Sequence, residues 1–202
     1  MHLAGEKHDE DHAGPPVQPG GRRPAPGRLE LVQAFVNSHY DLEVEHGADL
    51  LRTPAGLGRW LAGRGLIEPT AAVDDRDLRR ALAAREALRE VARAPGTTDR
   101  RAFDDLDRAT RGAALELRFA PDGPSFVSAD GGPAGAIAAI LAVAGQAMLD
   151  GSWARLKICP GERCGWAFYD HSRNQAGRWC SMAVCGGRAK ARAHYRRRAD
   201  AS

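Results

Sequence analysis

The chain has 202 residues, 43% of them hydrophobic and 27% charged, with a formal net charge of +3. That balance belongs to a globular protein of one or two domains and excludes a fibrous chain or one disordered throughout. Arginine outnumbers lysine 26 to 3, the signature of a GC-rich bacterial genome, so the arginine count alone says little about phosphate binding. Its distribution says more: residues 1–150 carry a net charge of −5, residues 151–202 one of +8.

Residues 1–28 are acidic and then rich in Pro and Gly. They lack the apolar side chains needed to offset the entropy of ordering, and the expectation is a disordered tail. His2, His8 and His12 lie in it. No signal-peptide pattern is present, which predicts a cytoplasmic protein whose thiols stay reduced.

From Leu29 the pattern is helical. "LELVQAFVNS" spaces Leu29, Val32, Phe35 and Val36 on one face. "HYDLEVEHGADL" concentrates His39, Asp41, Glu43, Glu45, His46 and Asp49 and reads as a solvated connecting loop. Thr53 and Pro54 are an N-cap and first-turn residue, and Gly65 closes that helix. Asp74 or Asp75 caps the longest amphipathic segment, with Leu78, Leu82, Leu88 and Val91 as its core stripe, and Pro95-Gly96 stops it. A short helix over 98–112 follows.

"ALELRFA" then alternates, "PDGP" turns, and "SFVSA" returns as a hairpin partner. The apolar run at 134–149 is shorter than the ~20 residues that span a bilayer, which predicts a buried helix and no membrane partner. "ARLKIC" reads as a strand leading into the first cysteine.

All four cysteines fall in Cys159-x4-Cys164-x15-Cys180-x4-Cys185. Two close pairs joined by a short insert suit one tetrahedral zinc ion, with reduced structural cysteines or a redox pair as the competing readings. Four protein ligands leave no open position for a catalytic water, so the ion is structural. It would contribute on the order of 10–16 kcal/mol to a segment too short to hold a core by itself. Strand character at "GWAFYD" and again near "GRWC", joined by "HSRNQAG", suggests a hairpin inside the insert. Helix propensity after Cys185 completes a treble-clef-like layout.

Zinc with four thiolates carries a charge near −2, which Arg163, Arg178 and Arg188 can compensate. The final helix goes beyond that need. Arg188, Arg192 and Arg196 recur every four residues, Lys190 and Arg197 lie on an adjacent face, and Arg198 extends the run. With Arg173 and Arg178 these are the candidate DNA contacts. The alternatives are a solvated terminal face, or an adaptor surface that docks on an acidic partner protein.

The residues of the cysteine segment resemble the CGNR zinc finger: Phe168, Asp170, Ser172-Arg173-Asn174, Arg178-Trp179-Cys180-Ser181-Met182, Cys185-Gly186, Arg188 and Lys190. "LELVQAFVNS", "DLLRTPAGLGRWL" and "LRRALAAREALREVARA" resemble segments of the ABATE domain, described as a stress-induced transcription regulator. The resemblance covers about 29–198 and implies a zinc-binding, DNA-binding module joined to a helical domain. It departs at Gly187, where the motif has asparagine, and at Gly177, where many members carry a basic residue.

The expected architecture is therefore α+β. A tail over 1–28 precedes a mainly helical domain with a small hairpin over 29–152, and a treble-clef-like finger occupies 153–202. No catalytic set stands out, and no enzyme is expected. Arg85, beside the apolar stripe, needs Asp41 or Asp49 as partner, or an anionic ligand; were it to face a pocket with Asn37, that pocket would take a small-molecule effector. A palindromic operator would call for a homodimer, but no sequence feature encodes one.

Overall fold

The computed structural model describes residues 18–40, 49–94, 100–121 and 123–199. Much of the acidic loop, including Asp41, and the histidines of the tail lie outside these residues. Six α-helices and two antiparallel hairpins are described: α1 (Leu29–Val36), α2 (Pro54–Ala62), α3 (Asp75–Arg93), α4 (Arg100–Thr110), β1 (Leu115–Ala120), β2 (Gly123–Ser128), α5 (Gly132–Leu149), β3 (Leu156–Ile158), β4 (Ala167–Tyr169) and α6 (Gly187–Ala199). This is the expected mixture of helices with small hairpins.

Local chemistry sets the helix starts. Thr53 Oγ1 accepts from Gly56 N at 3.0 Å, and Pro54 occupies the first turn of α2. Asp74 and Asp77 form a reciprocal capping box at the head of α3. At the head of α5, Gly135 lies so close to the chain that an added Cβ would stand 2.1 Å from the Asp130 carbonyl oxygen.

α5 is the central core helix. Ile137, Ile140, Leu141 and Val143 pack among Phe35 of α1, Leu57 and Leu61 of α2, and Leu88 and Val91 of α3. By length and composition it could cross a membrane, yet half of it is buried within the fold.

Two expectations are corrected here. "GWAFYD" does not pair with "GRWC": β4 pairs with β3, in the register Leu156↔Tyr169, Lys157↔Phe168, Ile158↔Ala167. The first cysteine pair thus sits on the hairpin's own turn. Both faces of β4 are buried, Ala167 and Tyr169 against the helical core, Trp166 and Phe168 against the cysteines. The helical part and the finger consequently share packed surface.

The other correction concerns the expected disordered tail. Its residues 1–17 lie outside the described range, but residues 18–28 are structured. They contain a 3-10 turn at Pro19–Gly21 and a buried Ala25. Side-chain hydrogen bonds anchor this segment in place of the large apolar groups it lacks: Gln33 Oε1 accepts from Ala25 N at 2.7 Å, and Gln18 Oε1 accepts from Gln33 Nε2 at 2.9 Å and Trp166 Nε1 at 3.2 Å.

Candidate metal centre

Cys159 leaves the end of β3, and Cys164 follows one turn later. That turn is closed by Cys164 N donating to Gly161 O at 3.0 Å, and Cys159 N donates to Trp166 O at 2.8 Å beyond it. Gly161 leaves little room for a side chain: a Cβ there would stand 3.1 Å from Cys185 Sγ and 3.3 Å from Cys159 Sγ. Cys185 lies in a single π-helical turn, Met182–Gly186, which Ser181 Oγ caps by accepting from Val184 N. α6 begins immediately afterwards.

The four Sγ atoms lie within 4.8 Å of one another, with Cys164–Cys180 and Cys180–Cys185 each at 3.6 Å. None is in a disulfide. Sulfurs about 2.3 Å from a common tetrahedral centre would stand about 3.8 Å apart, so the donor set fits one zinc ion. Three of the four residues are buried and Cys164 is half-buried.

Cys159, Cys164 and Cys180 do not ionise independently. Hydrogen bonds from Cys164 and Cys180 pull the Cys159 thiol down to about 2. The same bond to Cys159 pushes Cys164 up to about 12, and its bonds to Cys159 and Cys164 raise Cys180 as well. One thiolate held by protonated neighbours is the arrangement a divalent cation replaces. Zinc uptake therefore releases protons and strengthens as pH rises. When bound, the ion supplies a fixed cross-link between β3, the knuckle and the root of α6.

The surroundings complement that charge. Arg188 Nη2 lies 3.3 Å from Cys185 Sγ. Arg22 donates from Nε to Cys180 O at 2.7 Å and from Nη2 to Trp179 O at 2.9 Å, with its guanidinium 4.8 Å from the centre of the Phe168 ring. Asp170 organises the 171–177 loop: its carboxylate accepts from Lys157 Nζ at 2.7 Å, Ser172 N at 3.0 Å, Ser172 Oγ at 2.6 Å and Gly177 N at 2.7 Å. Burial alone would raise its pKa, but these donors outweigh it and hold the carboxyl well below the usual range.

The expected DNA contacts divide into two sets. Arg188, Lys190, Arg192, Arg196, Arg197 and Arg198 ride on α6, whereas Arg173 and Arg178 sit on the loop before Cys180. Arg178 stacks 5.4 Å from the centre of the Trp179 ring, and Arg192 pairs with Glu162 at 3.3 Å.

Among the described residues, Asn37 and Arg85 are engaged with protein partners and line no effector pocket. Arg85 donates to Asp49 at 2.7 and 3.0 Å, to Ser38 Oγ at 3.2 Å and to Glu86 at 2.9 Å. Asn37 pairs through both ends of its amide with the backbone of Ala167, at 2.7 and 2.8 Å, clipping α1 to β4. Neither group is left to address a ligand.

Arg89 carries a role that its place in the sequence conceals. Fully buried, it donates to Gly165 O at 2.5 Å, Val36 O at 2.7 Å and His39 O at 2.6 Å, and pairs with Glu86 at 3.0 Å. It ties α3 to the turn that carries Cys164. Only the repeated Arg-x3-Arg on a core-facing helix hinted at this.

Comparison with known families agrees with the geometry. No curated protein gives a significant match. Residues 155–198 match the CGNR zinc finger, and residues 29–151 match the ABATE family, described as "putative stress-induced transcription regulator". With the larger match covering more than half of the chain, the protein belongs to the ABATE family and carries a C-terminal CGNR zinc finger.

Proposed function

We propose that the protein is a zinc-dependent DNA-binding regulator of transcription whose α6 helix tracks phosphates. The observation that carries this reading is the condition of α6 itself. It runs for 13 residues, buries none of them and carries six cations between Arg188 and Arg198. A short helix owes most of its stability to a packed apolar face, and α6 has no such face. Like charges at i,i+4 oppose it further. A polyanion would relieve that repulsion along the whole helix, and the rigid root at Cys185 fixes where the helix points. The Arg192–Glu162 pair is exposed and weak, so a phosphate can displace it.

The zinc is structural in this reading, and no enzymatic step is proposed. Work on the bacterial chromosome would place the protein in the cytoplasm.

The test is fluorescence anisotropy of zinc-loaded protein on duplex DNA across a salt series. Four to six phosphate contacts give a log–log slope of about −4 to −5. Replacing Arg192, Arg196 and Arg197 by alanine should flatten it by about 2.7. Absence of binding even at low salt would transfer the basic surface to an acidic protein partner.

A further inference from the structure

β1 and β2 form a sheet of two strands, and among the described residues no third strand lies beside either. Ala129 N donates to Ala114 O at 2.8 Å. With the register Leu115↔Ser128 through Ala120↔Gly123, the even-numbered residues of β1 face β2 with their backbone groups. The N–H and C=O groups of Leu115, Leu117 and Phe119 therefore point to the open edge. These three residues are 41%, 50% and 81% exposed.

The two edges are not equivalent. Pro124, opposite Phe119 in the register, lacks an N–H at a position where it would point outward, so β2's outer edge is blunted. β1 has no such device. Among the described residues it presents an unpaired edge with three exposed apolar residues, of a kind that proteins ordinarily cover.

We propose that this edge is an interface with a second copy of the chain: β1 pairs antiparallel with the partner's β1 about a two-fold axis at Leu117, giving a four-stranded sheet. Charge selects both the partner and the register. Centred on Leu117, the pairing sets Leu115 against the partner's Phe119 and Glu116 against the partner's Arg118, twice over. Glu116 and Arg118 already pair at 3.1 Å within one strand, and the dimer closes them into a four-membered ring of alternating charge. The next registers that keep the hydrogen bonds oppose Glu116 to the partner's Glu116, or Arg118 to the partner's Arg118, both destabilising. A two-fold contact closes on itself, and Pro124 guards the outer edges against continued growth.

The inference does not rest on DNA binding and is tested without DNA, by sedimentation velocity of the zinc-loaded full chain over a concentration series. The wild type should sediment at twice the 21.7 kDa chain mass. E116R and R118E should each weaken association by about tenfold or more. An equimolar mixture of the two variants should recover the dimer, because every cross-strand pair is again Arg against Glu. Both substituted side chains are more than half exposed, and circular dichroism checks that each variant is folded. A wild type that stays monomeric, an E116R that dimerises like wild type, or a mixture that stays monomeric would overturn the proposal.

Discussion

The guanidinium of Arg22 grips the carbonyl oxygen of Cys180 at 2.7 Å across 158 positions of sequence. A second bond reaches Trp179 O, Gly20 lies against Ser181, and Pro24 O is 3.0 Å from His171 Nε2. The segment before α1 thus straps the turn that carries the third zinc ligand. Arg22→Ala should lower stability by about 1.5–3 kcal/mol, the usual contribution of charge-assisted hydrogen bonds. It should also hasten zinc transfer to a chelator followed by absorbance. Deleting residues 1–28 should do at least as much; an unchanged rate in both variants would show that the strap does not support the site.

Arg89 is the internal counterpart of that strap. Desolvation is the largest influence on it and lowers its pKa, opposed by Glu86; the guanidinium stays charged, and its bonds offset the cost of burying that charge. Arg89→Met keeps much of the volume but leaves the carbonyls of Val36, His39 and Gly165 without their donor. Each carbonyl left unsatisfied in such a buried network costs about 1–3 kcal/mol. The expected result is a large fall in the urea midpoint together with weaker zinc retention, since Gly165 adjoins Cys164. A fall in stability with zinc retention unchanged would separate the two halves of the chain energetically.

The parts legible in the sequence were those with local causes. Thr53-Pro54, the Asp74 cap and the short connection that sets Ala120 opposite Gly123 each act within a few residues, and the paired cysteines mark their own site by spacing. The asymmetry of charge likewise located α6. What escaped detection joins residues distant in the chain. "GWAFYD" is equally suited to pair with what precedes or follows it, and the choice falls on β3 because both faces of β4 find cover there. Asn37 clips β4 from 130 positions away, and nothing near it in sequence distinguishes such a clip from a ligand-binding amide. Arg85 was decipherable only because its partner, Asp49, belongs to a short list of acidic residues.

The Arg85–Asp49 pair makes the acid limb of stability testable. Burial would raise the Asp49 pKa, but its hydrogen bonds from Arg85 and Leu51 outweigh this and lower it below the ordinary value. A carboxyl depressed in the folded state contributes fully above its unfolded pKa of about 3.9 and loses that contribution as pH falls through the native value. Asp49→Asn should therefore be destabilising at neutral pH, by about 1.5–3 kcal/mol for the lost charge-assisted bonds, with Glu86 left as the remaining carboxylate beside Arg85. The difference from wild type should narrow below about pH 4. Urea midpoints measured at a series of pH values report it, and a difference constant down to the lowest pH would contradict the linkage.

The two glycines at which the finger departs from its family motif should behave oppositely. Gly177 gives its N–H to Asp170, and a Cβ there would meet all three carboxylate atoms of Asp170 at 2.7 Å. Asp170 is locked by Lys157 and Ser172 and cannot withdraw. Gly177→Ala should therefore cost about 1–3 kcal/mol, the range for overpacking a closed site, and loosen the loop that carries Arg173 and Arg178. Gly187 has helical backbone angles, φ −62° and ψ −47°, and a Cβ there would make only an ordinary 3.6 Å contact with Met182 O. Gly187→Asn should accordingly leave thermal stability and zinc content within error of wild type. Parallel melts of the two variants decide the matter: equal losses would mean that the Asp170 carboxylate does not determine which residue position 177 accepts.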